Sequence, residues 1–202
     1  MLMRKHLNGF SRVVGGAAIV ALFAIASGLV HPGTAVAAKP SPEVQWVNYT
    51  DLLPGDPSDT TAVTLQHPSF GTNTQGVVIT SSSLGDTDSN NENKVVTMAL
   101  ELPKQVKITG VRVCYELSAP GPNGSFIDDI RLAQLNNVDA STASVVLEDS
   151  THQDATGPTC VNSSLVSPPI KASHGSILLS FRINTANVLD QIVIHAVGLL
   201  VK

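Results

Sequence analysis

VKITGVRVCYEL, residues 106–117, alternates apolar and polar side chains with a period of two, the mark of a strand with one buried face. Val106 and Ile108 set the phase, and Val111, Val113, Tyr115 and Leu117 continue it one residue late. A slip of one position would turn the second half onto the wrong face unless the chain absorbs an extra residue. Glycine is the usual occupant of such a place. The stretch therefore predicts a bulge or sharp bend at Gly110. It also leaves Cys114 on the side of Arg112 and Glu116, away from the main core.

Working outward, the same period recurs. Val96, Met98, Leu100 and Leu102 alternate with polar or small residues until Pro103, and Ile177, Leu179, Phe181 and Ile183 do so again. Gly76–Thr80, Ala143–Leu147 and Thr159–Leu165 read as further strands, with shorter candidates at Val44–Tyr49 and Ala62–Leu65. SFIDDIRLAQL, from Ser125, is ambiguous. Ser125 and Asp128 could cap a helix, but Ile130 and Leu132 alternate with their neighbours and turn residues flank the segment, so it reads as a strand. Eight to ten strands, separated by Gly-, Pro-, Ser- and Asn-rich loops, predict an all-β antiparallel sandwich of jelly-roll or Greek-key form.

Gln191–Val201 breaks the pattern by being apolar on both faces. Ile192, Ile194 and Ala196 fall in one phase and Val193 and Val197 in the other. A sandwich strand normally keeps one wet face. Either the N-terminal arm covers the second face or another copy of the chain does.

The first 38 residues have a different character. Arg4, Lys5 and Arg12 precede an uncharged apolar run from Ala17 to Val30, and small residues in an A-x-A arrangement precede Lys39. This is the layout of a secretory signal, with a core too short for a stable membrane span. The expected organisation is a signal over 1–38, an N-terminal arm over 39–75 and a sandwich domain over 76–202. The expected location is extracellular or periplasmic, without a membrane span in the mature chain.

The chain carries 12 Lys/Arg and 16 Asp/Glu. Three of the basic residues leave with the signal, so nine face sixteen, a net of −7. That balance argues against nucleic acid, whose phosphates call for clustered Lys and Arg. Cys114 and Cys160, an even pair in an oxidising compartment, predict a disulfide.

Catalytic signals are weak. There is no G-x-S-x-G, and His67, His152, His174 and His195 each stand alone, without zinc-ligand spacing. Glu101 and Glu116, on adjacent strands of the pattern, are the one carboxylate pair that would suit a secreted hydrolase. In the loop after Thr80, Asp86, Asp88, Asn90 and Glu92 place oxygen side chains at every second residue. An EF-hand is excluded, because Asn91 and Thr97 stand where glycine and a bidentate acid belong. Calcium is the only cofactor this loop suggests. Trp46 and Tyr49 are the one aromatic pair outside the apolar faces, and form either a sugar-stacking platform or a staple for the arm.

These features describe an exported, non-enzymatic β-sandwich that presents a surface to a protein, a glycan or copies of itself. The end loops 81–93, 119–124 and 149–158 are the expected contact regions. A carboxylate-pair hydrolase and a calcium-dependent module are the alternatives.

Overall fold

The computed structural model describes residues 43–55, 60–66, 75–88, 90–119, 121, 123–135, 143–164 and 168–202. The expected signal, His67 and parts of six loops lie outside them.

Twelve strands follow one another: β1 (Glu43–Val47), β2 (Leu53–Pro54), β3 (Thr61–Gln66), β4 (Gly76–Ser81), β5 (Val95–Leu100), β6 (Lys107–Leu117), β7 (Phe126–Leu135), β8 (Ser144–Asp149), β9 (Thr159–Ser164), β10 (Ile170–Lys171), β11 (Ser176–Asn184) and β12 (Ile192–Val201). The larger sheet has β6 and β12 at its centre. β9 and β10 share the far edge of β6, and β4 and β1 share the far side of β12, with β3 beyond β4. The smaller sheet runs β2-β5-β11-β7-β8. Every pairing between strands is antiparallel. From β4 to β7, and again from β10 to β12, the chain changes sheet at each step, as in a jelly roll.

Ten of the twelve strands coincide with those the alternation predicts. The other two, β2 and β10, are two residues long, too short for any period to register. The ambiguous SFIDDIRLAQL is a strand throughout, β7. The arm does not stand apart, since β1, β2 and β3 pair with β12, β5 and β4.

The inward phase of each long strand fills one core. Ile108, Val111, Val113, Tyr115 and Leu117 from β6 meet Val96 and Met98 from β5, Ile130 and Leu132 from β7, and Leu179 and Phe181 from β11. All are buried, as the alternation requires.

The slip in β6 is real. Leu200 pairs with Gly110 but Val201 pairs with Ile108, so Thr109 is the extra residue, and its hydroxyl donates to the Leu200 carbonyl at 3.0 Å. A β-carbon on Gly110 would sit 2.4 Å from the Ser163 carbonyl oxygen and 3.0 Å from Leu200 Cδ1. The first obstacle is backbone, so β9 itself would have to move. Gly110→Ala is expected to lower stability by about 1–3 kcal/mol. A urea midpoint shift at unchanged slope measures it, and an unshifted midpoint would refute the packing argument.

A second slip went unread. In β12 the register shifts between Ile194 and Ala196, so His195 is extra and Val197, Leu199 and Val201 join Ile192 and Ile194 in the core. The expectation that Val197 faces away from Ile192 is therefore corrected. Apolar residues in both phases conceal a slip, because either phase looks inward. β12 is central, and the arm's β1 pairs alongside its C-terminal half, with Val44 opposite Leu200 and Trp46 opposite Gly198.

Candidate functional site

β1 borders β12 on one side and, among the described residues, has no strand on the other. β5 is flanked by β2 only at Val96 and Thr97. Two strand edges therefore face the same open side of the sandwich, one from each sheet. The chain crosses between them through a short 3-10 turn, Tyr49–Asp51. Asn48 holds that turn: its Oδ1 accepts from Thr50 Oγ1 at 2.7 Å, and its Nδ2 donates to Asp51 Oδ2 at 3.2 Å. Leu52, fully buried, anchors the far end in the core.

Between the edges lies a cleft of about 330 Å³, lined by Gln45, Trp46, Asn48, Asp51 and Glu101 together with Met98–Leu100. Trp46 is 55% exposed. Its cross-strand partner is Gly198, and the indole leans over that glycine. A β-carbon there would lie 3.0 Å from Cε3 and 3.2 Å from Cζ3 of the ring. Gly198 leaves the space that lets the indole settle on the sheet while half of it stays in water. The cleft thus combines one large apolar ring with two side-chain amides and two carboxylates, the donor and acceptor mix that orients a polar ligand against a flat face.

Tyr49 is not beside Trp46 on that surface. It packs against the core from within the turn, which is the staple role, while Trp46 alone supplies an exposed ring.

Asp86, Asp88 and Glu92 do not converge, and no group of three acidic, His or Cys side chains among the described residues could hold a metal. Asp86 meets Arg182 at 2.6 Å. Asp88 Oδ1 accepts from the backbone amides of Asn90 and Glu92 at 2.8 and 2.9 Å, which explains the every-second-residue oxygen pattern as a local turn. The Asn90 and Glu92 side chains are exposed. Beneath them, fully buried Lys94 donates to the carbonyls of Ser83 and Gly85 at 2.6 and 2.8 Å. Burial pushes the Lys94 ammonium pKa down, and the charges of Asp86 and Asp88 pull it back up. The loop carries its own cation.

Glu101 and Glu116 share no cleft. Glu116 stands opposite Val193 on the outer side of the larger sheet, where its Oε2 faces His195 Nε2 at 3.1 Å. Glu101 lines the cleft with Gln45, which stands opposite Leu199. Six positions along β12 separate the two levels, about 20 Å at 3.3 Å per residue. Paired-carboxylate hydrolysis needs less than about 10 Å, so this expectation is corrected. The sequence placed both acids near strand ends but could not say that β5 and β6 lie in different sheets.

Cys114 and Cys160 form a disulfide across directly paired positions of β6 and β9. His195 places Nδ1 2.7 Å from the Gln75 carbonyl oxygen, to which it donates. A larger cleft of about 770 Å³, bordered by Gln134, Val146, Pro168, Pro169 and Lys171, lies on the β8–β10 side. His174 also lines it, but among the described residues no Trp, Tyr or Phe does.

No family model matches the chain, and no curated protein matches it. Among solved structures it is similar to a xylan-binding module, CBM15, with a TM-score of 0.47 and 10% identity, over 79% of this chain and 97% of that one. It is also similar to the CBM22-1–GH10 modules of Clostridium thermocellum endo-1,4-β-D-xylanase 10B complexed with xylohexaose. There the TM-score is 0.43 and the identity 13%, over 80% of this chain and 28% of that one. Likeness at this level does not say what this chain binds.

Sequence reasoning found Trp46 and singled out Glu101 for a different role, but missed Gln45, Asn48 and Asp51. A polar side chain near a strand end is usually just solvated. The signal that could have found them is the pairing of an isolated Trp with a glycine in the final strand, which marks where an exposed ring can lie.

Proposed function

We propose that this chain is an exported, non-catalytic carbohydrate-binding module whose contact surface is the Trp46 cleft. One observation carries the reading: the chain's only tryptophan is held half in water beside a cleft whose polar lining is two side-chain amides and two carboxylates, with Val47 and Met98–Leu100 completing it. A sugar ring presents an apolar C–H face and an equatorial belt of hydroxyls. The indole suits the first, and Gln45, Asn48, Asp51 and Glu101 suit the second. The separation of Glu101 from Glu116 supports binding without hydrolysis. The basic-then-apolar N-terminal segment and the disulfide support export.

Because Trp46 is the only indole, its intrinsic fluorescence reports on the cleft itself. Titration with soluble neutral oligosaccharides, including xylo-, cello- and manno-hexaose, is expected to shift or quench that emission saturably. In parallel calorimetry, Trp46→Ala should bind the same sugar ten- to a hundredfold more weakly, about 1.4–2.7 kcal/mol. The variant should still fold, since the ring is largely outside the core. Unchanged affinity in Trp46→Ala, or no binding to any neutral glycan, would overturn the proposal.

A further inference from the structure

The outer face of the smaller sheet carries an ionic array that the Trp46 cleft does not use. Arg182 on β11 stands directly opposite Asp129 on β7, and Arg131 lies two residues on along β7. The terminal nitrogens are already engaged. Arg182 Nη2 pairs with Asp86 and Asp128, and Arg131 Nη2 with Asp129 Oδ2 and Glu148. Three inner atoms are not. Asp129 Oδ1, Arg131 Nε and Arg182 Nε are buried and have no hydrogen-bond partner within the protein. Asp129 itself is only 7% exposed. Burial holds its carboxyl above the usual carboxylate range, with the Arg131 guanidinium pulling the other way.

These groups border a notch of about 90 Å³, lined by Asn93, Val95, Asp129, Arg131, Ser180 and Arg182. That is room for several waters or for one edge of a pyranose, but not for a whole ring. The electrostatics narrow the occupant. A simple anion would meet Asp129 with Asp128 and Glu148 close by, and a simple cation would meet two guanidinium groups. A neutral group that both donates and accepts escapes both penalties. A pair of vicinal hydroxyls does this, with one proton to the carboxylate and lone pairs to the two Nε–H groups. The Arg131 side chain is 42% exposed, so its head can turn outward and admit a ligand to Asp129.

We propose that this notch is a second carbohydrate contact, which grips the vicinal hydroxyls at one edge of a sugar ring through Asp129, Arg131 and Arg182. It shares the glycan reading given above, but it uses different residues in a different part of the fold. The two can therefore fail separately.

The test uses the full chain carrying Trp46→Ala, so that the first cleft cannot contribute. Arginine Nε–Hε resonances are followed by NMR while D-xylose, D-glucose, D-mannose and D-galactose are titrated singly, each to saturation in the millimolar range that a few hydrogen bonds support. At least one sugar should shift the Arg131 and Arg182 resonances together and saturably. Asp129→Asn should weaken that response at least tenfold, because the amide replaces one acceptor with a donor. Arg131→Lys, at a partly exposed position, should weaken it similarly and covers the case in which Asp129→Asn fails to fold. Resonances unmoved by every sugar would mean that the notch holds ordered water only. A response that survives both substitutions would also overturn the proposal.

Discussion

Lys94→Ala is expected to lower the stability of the fold by about 3–5 kcal/mol, among the largest effects available to a single substitution here. The lysine is fully buried, yet its ammonium does not satisfy otherwise empty carbonyls. Ser83 O also accepts from Ser81 Oγ at 3.1 Å, and Gly85 O from the Thr185 amide at 2.9 Å. What the alanine variant would strand is charge. Asp88 is 7% exposed and feels the Lys94 charge, whereas Asp86, which Lys94 also attracts, keeps its pair with Arg182. Desolvation outweighs those attractions in setting the Lys94 pKa, so the assembly as a whole adds little net stability. Removing one side of it leaves the other's desolvation uncompensated. Two controls separate charge from packing. Lys94→Met keeps most of the stem and should recover about 1–2 kcal/mol of the loss. In a double-mutant cycle with Asp88→Asn, the two losses should fall short of additivity by about 1–3 kcal/mol. An alanine variant that unfolds within about 0.5 kcal/mol of the parent would show that the loop does not depend on its internal cation. For the same reason millimolar calcium should leave the parent's melting temperature unchanged, which differential scanning fluorimetry can check.

That loop also shows how far the sequence could be read. Alternation gave ten strands and the bulge beside Gly110, because a period of two projects directly onto faces and a phase slip has one structural remedy. It failed where several meanings share one pattern. Asp86, Asp88 and Asn90 at alternate positions can wrap a metal or close a turn on themselves, and the difference lies in Lys94, six residues beyond Asp88 and just ahead of β5. The bulge at His195 was invisible because β12 is apolar in both phases. Trp46 and Tyr49, three residues apart, looked like a pair. The 3-10 turn between sheets sends one to the surface and the other against the core, a rotation that no residue count reveals. Glu101 and Glu116 were separated by topology, the level furthest from local pattern. Strands are dictated by neighbours in sequence, whereas a site is assembled from edges that only the closed sandwich brings together.

Replacing both cysteines, as Cys114→Ser with Cys160→Ser, is expected to cost about 4 kcal/mol, the loop-closure entropy of 46 residues returned to the unfolded chain. The bond joins a central strand to an edge strand. β6 is held by β12 on its other side, but among the described residues β9 pairs only with β6, and its outward residues Cys160, Asn162 and Ser164 are exposed. Two consequences follow from that asymmetry. The global loss should appear as a lower denaturant midpoint at a similar slope, because the constraint acts mainly on the unfolded ensemble. The local loss should appear in hydrogen exchange, with β9 amides opening sooner than those of β12, which is central and packed on the core. Exchange that accelerates equally in both strands would argue against a pinned edge, and an unmoved midpoint against the entropic account. The Trp46 cleft lies on the far side of β12 from this bond, so the folded double variant should keep its affinity for oligosaccharide. Stability and binding would then part company, as they must if the disulfide fixes the frame and the indole makes the contact.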